Sequence, residues 1–528
     1  MARKAVSALF FDRYPPYPTA LRRQCRLHAN DSGGAKRGYG LRYDAAIIGA
    51  GAEGLAAAIL LGRAGLRVLV IERGSHAGGR LVTREFHPGF RASPFVDDIA
   101  EIPPRLFWSL DLARHGAIVA PPRVSRAVWQ DRRHEIKFGE NAEAAALLAV
   151  SARRRAEIAA RVDSAAKTAP SRPLFLRRDP ERWPAEDWAT ATLDGVLASA
   201  PLAPDAAAHL AALALSQSIA DPFLEGSALH LLAAGASGHR LAGGPARLGE
   251  ALLLAAQSAG AEFSFGLEAS DIHRRNGRIT GVGLADGSEI AAQTVISTLD
   301  LKRTFLTFFA WNALPPPLVR GVNAFRMAGS TARVLFAVAR RLAEDGPIHV
   351  APSLSRLSEA FQAWRAGVAA AHLPVTLNVV SARDPRLAPP SFSVVTATMG
   401  AIPFRLFDGA WTHEKREQLR HRATEALEFV WPGAGGSVVA SDVVAPPDIE
   451  EAFAATDGDL LGGEIAGDQM LGAGPWSELG PDRVLPRTPV AGLYLAGSHL
   501  AAGAFATCAA GAAAAHALLA DRARGWLR

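Results

Sequence analysis

The sequence predicts an α/β fold organised around a βαβ nucleotide-binding unit near residue 50. Three observations predict it: a buried-strand pattern at residues 45–48, a glycine-rich turn that follows at once, and a second apolar strand at residues 68–71. Between the turn and the second strand, a segment with helical periodicity runs to about Ala64 and stops at Gly65. This order of elements is typical of a Rossmann-type dinucleotide-binding domain.

The glycine turn reads GAGAEG, and each of its glycines has a predicted role. We expect Gly49 to allow the tight turn out of the first strand, and Gly51 to let the backbone approach a pyrophosphate. Gly54 should let the helix pack closely on the sheet. The helix begins beside Ala52, where its N–H groups and the positive end of its dipole can bind phosphates.

The residues after the second strand narrow the choice of nucleotide. Glu72 ends that strand and is placed to bind ribose hydroxyls, and Arg73 follows it in the predicted site. Gly78 and Gly79 let another backbone segment pass close to the cofactor, and the Arg80 guanidinium could bind a phosphate. Domains that bind only NAD do not need this extension of the motif by a second glycine pair and an arginine. It is similar to that of the FAD enzymes of the glutathione-reductase-like superfamily, which implies a bound FAD.

Further motifs follow in order along the chain, at residues 81–91, 111–116, 384–390, 463–469 and 487–498. Together with the glycine turn they resemble the phytoene-desaturase-related flavoproteins, most closely the pyridine nucleotide-disulfide oxidoreductase domain-containing protein 2 family. The resemblance covers most of the chain from Asp44 onwards. It implies a glutathione-reductase-like FAD-binding domain combined with a discontinuous α+β substrate domain.

The resemblance also implies roles for residues outside the glycine turn. Ala269 would face the adenine, although an ordinary strand position is the alternative, and Gly497 with Ser498 would turn against the flavin. His499 follows that turn and is the candidate catalytic acid or base, with a purely structural role as the alternative. The chain departs from the family at Arg80, where a small residue is usual. It departs again after His499, where a His-Pro-Gly-Gly run is usual.

The domain organisation follows from the same resemblance and from local patterns. A glycine pair before a helical segment at 248–258, and two hairpin turns, are expected between the halves of the cofactor domain. The two long remaining insertions contain a helix-like segment at 197–232 and strand-like segments at 331–340, 375–381 and 393–398. We therefore predict an FAD-binding domain at residues 41–105, 235–305 and 485–528, and a substrate domain at residues 106–234 and 306–484.

The formal charge of +6 is concentrated at one end of the sequence. Residues 1–40 contain eight Lys or Arg and two Asp, and the remaining 49 basic and 49 acidic residues cancel. The body of the protein is therefore neutral, which argues against nucleic acid or an acidic membrane as a partner. We expect residues 1–40 to be a disordered basic extension rather than an organelle presequence. The expected location is then cytoplasmic, or an organelle matrix if a presequence is present.

Several chemistries are excluded by the sequence. Only Cys25 and Cys508 are present, without a C-x-x-C motif, so dithiol chemistry is excluded. No cysteine precedes Leu493 near the cofactor, which argues against covalent flavin attachment through cysteine. No metal-site spacing occurs. The apolar stretch at 491–520 is rich in alanine and glycine, which predicts a buried strand, a turn and a packed helix rather than a membrane span. Peripheral membrane contact stays open.

Three functions are compatible with these patterns. The first is an FAD-dependent oxidoreductase that accepts a hydride from an organic, apolar and even lipid-like small molecule. The second is a carotenoid-type desaturase or isomerase. The third is a flavin-bound interaction or regulatory protein with little turnover. The loss of the His-Pro-Gly-Gly run keeps this hypothesis open. The sequence specifies neither the electron acceptor nor the oligomeric state.

Overall fold

The computed structural model describes most of the chain. The described residues are 42–120, 126–129, 135–137, 142–167, 187–216, 218–234, 237–241, 243–310, 312–344, 346–351, 353–469, 486–497 and 507–527. The predicted basic extension at 1–40, together with Cys25, Ser498 and His499, lies outside these residues.

Strands occur along the whole described chain. They are β1 (Tyr43–Ile48), β2 (Val68–Glu72), β3 (Arg84–His87), β4 (Phe90–Ala92), β5 (Ile99–Ala100), β6 (Val119–Ala120), β7 (Arg126–Trp129), β8 (Glu135–Lys137), β9 (Ser237–Leu241), β10 (Glu262–Phe265), β11 (Ala269–Arg275), β12 (Arg278–Leu284), β13 (Glu289–Ser297), β14 (Ala332–Val338), β15 (Ile348–Ala351), β16 (Val375–Val379), β17 (Ser393–Met399), β18 (Val438–Val444) and β19 (Leu493–Leu495).

The α-helices lie between groups of these strands. They are α1 (Ala52–Arg63), α2 (Pro104–Ser109), α3 (Ala142–Lys167), α4 (Leu193–Ser199), α5 (Pro204–Ala214), α6 (Pro245–Ser258), α7 (Pro316–Ala324), α8 (Leu354–Arg365), α9 (Val380–Arg383), α10 (His413–Val430), α11 (Pro446–Phe453) and α12 (Ala509–Ala523).

The first large sheet carries the predicted nucleotide-binding unit. Its strand order is β10-β2-β1-β13-β12-β11, and β19 also pairs with β13. Strands β10, β2, β1, β13 and β19 are parallel, whereas β11 to β13 form an antiparallel meander. The meander turns at Asn276 and Gly277, both with positive φ, as the Asn-Gly pair predicts. The predicted α/β fold class is confirmed.

The central strands of this sheet are buried on both faces. Ile47 and Val70 join the core beneath α1, α6 and α12, whereas Ile48 and Ile71 join a second cluster on the opposite face that includes Phe305. Continuous apolar strands are expected where a parallel sheet is covered on both sides. The carboxyl ends of β1 and β2, where the glycine turn and Glu72 lie, are therefore held in a rigid frame.

The second large sheet is mixed and mostly antiparallel, with the order β18-β14-β17-β16-β15-β7-β8. One face packs against α8 and α10 through a cluster that includes Val334 and Phe336. On the other face, Leu335 packs against Phe90 and Ala92 of the β3–β4 hairpin. Because that hairpin closely follows the glycine pair at 78–79, it links the nucleotide-binding unit to the second sheet.

Some predicted elements differ in the structure. The helix-like segment at 197–232 is divided into α4, α5 and a 3₁₀ turn at Ser227–Leu232. Helix α4 ends because Ala200 precedes Pro201 and is extended, with ψ 148°. Helix α5 starts afresh with Pro204 in its first turn, where proline fits.

The long apolar stretch forms β19 and α12, as predicted, and no helix among the described residues is long and apolar enough to cross a membrane. The first sheet draws its strands from residues 43–72, 262–297 and 493–495, and the second from 126–137 and 332–444. The division into an FAD-binding domain and a substrate domain, with the boundaries given above, stays a proposal.

Candidate cofactor site

Two glycines of the turn between β1 and α1 are required by the protein's own packing. Gly49 has φ +100°, and a Cβ there would lie 2.1 Å from the Thr298 hydroxyl oxygen. A Cβ on Gly54 would lie 2.1 Å from the carbonyl oxygen of Gly49. Gly49 tolerates no side chain because its φ is left-handed and Thr298, just after β13, packs against it, and Gly54 tolerates none because helix α1 packs directly on the turn.

Gly51 differs from both, because a Cβ on it would meet no atom of the described residues within 4 Å, its two chain neighbours aside. Its backbone is extended, with φ −75° and ψ −179°, which other residues adopt easily. Gly51 is the N-cap residue of α1 and provides no side chain to cap it. The space in front of Gly51 and the first-turn N–H groups therefore forms a cradle that fits an anionic ligand group.

The second glycine pair lies alongside this turn. The Gly78 amide donates to the carbonyl oxygen of Ala50 at 2.8 Å, and Gly78 pairs with Gly51 as an isolated parallel bridge. A Cβ on Gly79 would lie 3.1 Å from the Cα of Gly51. A second backbone segment thus runs directly beside the glycine turn and borders the open space at Gly51. Its closeness to a cofactor stays a prediction.

Glu72 lies beneath the glycine turn at the end of β2. Its Oε2 accepts a hydrogen bond from the Ala50 amide at 2.8 Å, and its Oε1 accepts one from the Gly74 amide at 2.7 Å. Each carboxylate oxygen has a second lone pair that can accept from a hydroxyl. Glu72 can therefore hold the turn in place and still accept from a ribose.

The two arginines of the predicted site contact protein carbonyl groups. Arg73 donates to the carbonyl oxygens of Glu451 and Ala452, at 2.6 and 3.0 Å, at the end of α11. Arg80 Nη1 donates to the carbonyl oxygen of Leu460 at 2.5 Å. Burial lowers the pKa of Arg80, and the neighbouring carboxylates of Glu53 and Asp459 oppose that shift. Both arginines thus connect the cofactor segment to the chain around residues 451–460.

A loop built on Asp459 meets Arg80 and was not anticipated from the sequence. Asp459 Oδ1 accepts from the amides of Leu461 and Gly462, at 2.8 and 3.1 Å. Its Oδ2 accepts from the amides of Ala328 and Gly463, at 2.9 and 3.1 Å. Four backbone donors on one carboxylate fix this loop against the start of β14. The Gly462-Gly463 pair is the sequence feature from which a tight loop at this position could have been predicted.

Glu53 is a second residue whose role the sequence did not reveal. It lies in the first turn of α1, and its carboxylate accepts from the amides of Cys508 and Gly511 at the start of α12, at 2.8 Å each. A Cβ on Gly511 would lie 1.9 Å from the Glu53 carbonyl oxygen, so the two helices touch there. Glu53 therefore connects the N-termini of α1 and α12.

The other predicted site residues are distributed around this centre. Ala269 starts β11, shortly after Leu267, whose amide donates to the carbonyl oxygen of Glu72 at 3.1 Å. Gly497 is buried just after β19, and the preceding Ala496 amide donates to the Ser297 carbonyl oxygen at 2.8 Å. Ala269 thus lies at the start of a strand of the sheet that carries the glycine turn, and Gly497 follows another strand of that sheet. Ser498 and His499 lie outside the described residues, so the catalytic role of His499 stays a prediction.

A polar network ties the segment after β4 to the second sheet. Asp97 accepts hydrogen bonds from Arg333 at 2.7 Å, Thr396 at 2.8 Å and Asn378 at 2.9 Å. Arg333 also donates to the Thr398 hydroxyl at 2.7 Å. The Asp97 and Arg333 side chains are only 6% and 4% exposed. A buried ion pair thus fixes the segment that runs from the glycine pair towards α2.

No cluster of His, Cys, Asp and Glu that could hold a metal ion occurs in the described part of the chain. Burial raises the pKa of the Cys508 thiol well above its usual value, and the nearby Glu53 charge adds to this effect. The thiol is therefore neutral and a poor nucleophile at neutral pH.

Comparison with known proteins agrees with this geometry. Residues 47–117 match the NAD(P)-binding Rossmann-like domain family. The chain is 26% identical to pyridine nucleotide-disulfide oxidoreductase domain-containing protein 2 of Mus musculus, over 91% of this chain and 94% of that protein. A weaker match, to hydroxyneurosporene desaturase of Rhodobacter capsulatus, is 28% identical over 91% of this chain and 98% of the relative. The resemblance predicted from the motifs is confirmed.

The fold is similar to that of cyclohexylamine oxidase from Brevibacterium oxydans. The two structures align with a TM-score of 0.56 and 17% sequence identity, over 92% of this chain and all of the oxidase. The Rossmann-like unit and the second mixed sheet therefore belong to one known two-sheet architecture.

Proposed function

We propose that the protein is an FAD-dependent oxidoreductase that accepts a hydride from an organic, apolar small molecule. One observation carries this proposal: Gly51 faces open space at the N-terminus of α1, whereas other atoms of the protein occupy the space that a side chain would need at Gly49 and Gly54. A glycine that is not required by packing is expected where a ligand approaches the backbone. The similarity to proteins named as an oxidoreductase and a desaturase supports the same class.

The second glycine pair favours FAD over a nicotinamide cofactor. Gly78 and Gly79 border the open space, and Glu72 is hydrogen-bonded to the same turn through the Ala50 amide, with oxygens able to accept from ribose hydroxyls. In this arrangement the N–H groups of α1 would hold the diphosphate. Bound FAD would supply hydride acceptance, and the chain would supply binding, orientation and exclusion of water.

A carotenoid-type desaturase is the second candidate, because the Rhodobacter capsulatus relative is named as a hydroxyneurosporene desaturase and matches along nearly its full length. The two candidates differ in substrate and not in cofactor. Anaerobic mixing of the purified protein with a panel of metabolites, lipids and polyenes separates them. Bleaching of the flavin by a polyene alone would favour the desaturase, and bleaching by another organic compound would favour the first proposal.

The identity and attachment of the cofactor give the first prediction. The purified protein is expected to be yellow, because it is proposed to hold FAD at the glycine turn. Acid precipitation should release that FAD, because the proposed binding is noncovalent. Chromatography of the supernatant against FAD and FMN standards makes the measurement. Release of FMN, flavin that stays with the precipitate, or a colourless protein that FAD cannot reconstitute would each contradict the proposal.

The role of Glu72 gives a second prediction. Glu72→Ala should weaken FAD binding by about 10-fold to 100-fold, because it removes charge-assisted hydrogen bonds to ribose and support for the Ala50 amide. Titration of the apoprotein with FAD, followed by flavin fluorescence, measures the change. Glu72→Gln keeps the size of the side chain and should lose less affinity. An unchanged dissociation constant in both variants would place the ribose elsewhere.

A further inference from the structure

An acidic residue occupies the turn of α1 that is proposed to bind a diphosphate. Glu53 lies two residues after Gly51, in the first turn of that helix. Its carboxylate accepts from the amides of Cys508 and Gly511, which belong to the start of α12. The positive ends of two helix dipoles thus converge on one carboxylate.

The other charged and titratable groups around Glu53 come from each described segment that packs there. The Arg80 guanidinium attracts the Glu53 carboxylate from the glycine-pair segment, and it also interacts electrostatically with Asp459 of the 454–463 loop. The Cys508 thiol faces Glu53 from α12 and is neutral. Glu53 therefore uses the same positive field, from α1 and Arg80, that a diphosphate at Gly51 would use.

Two anions in one such field raise each other's proton affinity. Burial already raises the pKa of Glu53 to about 7, against the opposing effects of the Gly511 and Cys508 amides and of Arg80. A dianionic diphosphate near Gly51 would raise this pKa further, because like charges disfavour ionisation. The free energy of cofactor binding must then depend on the protonation of Glu53.

We propose that Glu53 takes up a proton when the dinucleotide binds, so that the carboxylate and the diphosphate do not both carry their charge in the same field. The proton comes from solvent, the carboxylate becomes a carboxylic acid, and no redox change is involved. This inference rests on the proposed function, because it requires a diphosphate at Gly51.

The sign of the effect follows from proton linkage. If the bound state holds more protons, affinity rises as pH falls, and it falls as pH rises above the pKa of the free site. For wild-type apoprotein, the dissociation constant for FAD should increase by up to about tenfold per pH unit above about pH 7. Free FAD has no group that titrates between about pH 6 and about pH 9, so the slope would report on the protein.

The test is calorimetric titration of full-length apoprotein with FAD, between about pH 6 and about pH 9, in pairs of buffers that differ in ionisation enthalpy. The expected result is uptake of close to one proton near pH 8 by the wild type, and a flat pH profile without that uptake for Glu53→Gln. Glu72→Gln is the matched control: it should bind FAD more weakly and keep the wild-type pH slope. Circular dichroism verifies that both variants are folded.

The outcomes separate this inference from the proposed function. FAD binding by the wild type with no pH dependence and no proton uptake would overturn the inference and leave the proposed function standing. Retention of the full slope by folded Glu53→Gln would also overturn it. If Glu53→Gln does not fold, the wild-type proton count decides the question. Failure of the wild type to bind FAD at any pH would overturn both.

Discussion

Replacement of Gly51 by valine is expected to abolish cofactor retention while leaving the protein folded. A Cβ at this position meets no atom of the described part of the chain within 4 Å, so the side chain would project into the space assigned to the diphosphate. Losing two charge-assisted hydrogen bonds to the phosphates would weaken binding by at least about 100-fold. The cost to folding should be only about 1 kcal/mol, because valine is a poor residue before a helix but its backbone conformation is allowed.

The matched control is the same change at Gly54. A Cβ there would lie 2.1 Å from the Gly49 carbonyl oxygen, so valine must displace the backbone of the turn or of α1. We expect Gly54→Val to lose folded structure together with the flavin. Flavin content, circular dichroism and thermal unfolding of the two variants make the comparison. Full flavin occupancy in Gly51→Val would show that the phosphates bind elsewhere.

The nucleotide-binding unit could be predicted from the sequence because its signals are local. The strand pattern at 45–48 corresponds to β1, which starts two residues earlier, and the pattern at 68–71 corresponds to β2, which ends one residue later. The glycine roles depend on backbone conformation and on neighbours in the same unit, and the geometry at Gly49 and Gly54 agrees with them. Local periodicity and turn chemistry are therefore enough here.

The contacts that join distant segments could not be predicted in this way. Glu53 and Cys508 are separated by 455 positions, and spacing in the sequence gives no sign that their helices meet. The sequence predicts a phosphate contact for Arg80, which stays a prediction, but it gives no sign of the contact with the carbonyl group of Leu460, 380 positions away. Such contacts are fixed by the tertiary fold. The type of each side chain therefore predicted its charge but not its partner.

The buried ion pair of Asp97 and Arg333 shows the same limit at the second sheet. Arg333 lies in the apolar strand β14, and its partner is 236 positions earlier in the chain. The Nε of Arg333 is buried without a hydrogen-bond partner among the described residues, so the guanidinium depends strongly on the bonds that Asp97 and Thr398 provide. The sequence shows a single arginine in an apolar strand, but nothing in it indicates which carboxylate neutralises that arginine.

Asp97→Ala is therefore expected to destabilise the protein by about 3 to 5 kcal/mol, because it leaves the Arg333 guanidinium buried and without its counter-charge. Thr396 and Asn378 would lose an acceptor as well. The midpoint of thermal unfolding, followed by circular dichroism, should fall by roughly 3 to 5 °C, because a chain of 528 residues has an unfolding entropy of about 1 kcal/mol per kelvin. Asp97→Asn keeps one acceptor oxygen and should lose less.

The double variant Asp97→Ala with Arg333→Met distinguishes a buried-charge penalty from a general loss of packing. Removing both charges leaves no unpaired ion, and a methionine can fill much of the volume of the arginine stem. The double variant should therefore be more stable than Asp97→Ala alone, although it carries one more substitution. The stability lost by the double variant is compared with the sum of the losses of Asp97→Ala and Arg333→Met measured singly. If the two single losses add, the ion pair does not hold the segment at Asp97, and the cost of Asp97→Ala comes from the lost contacts with Thr396 and Asn378 and from the lost volume.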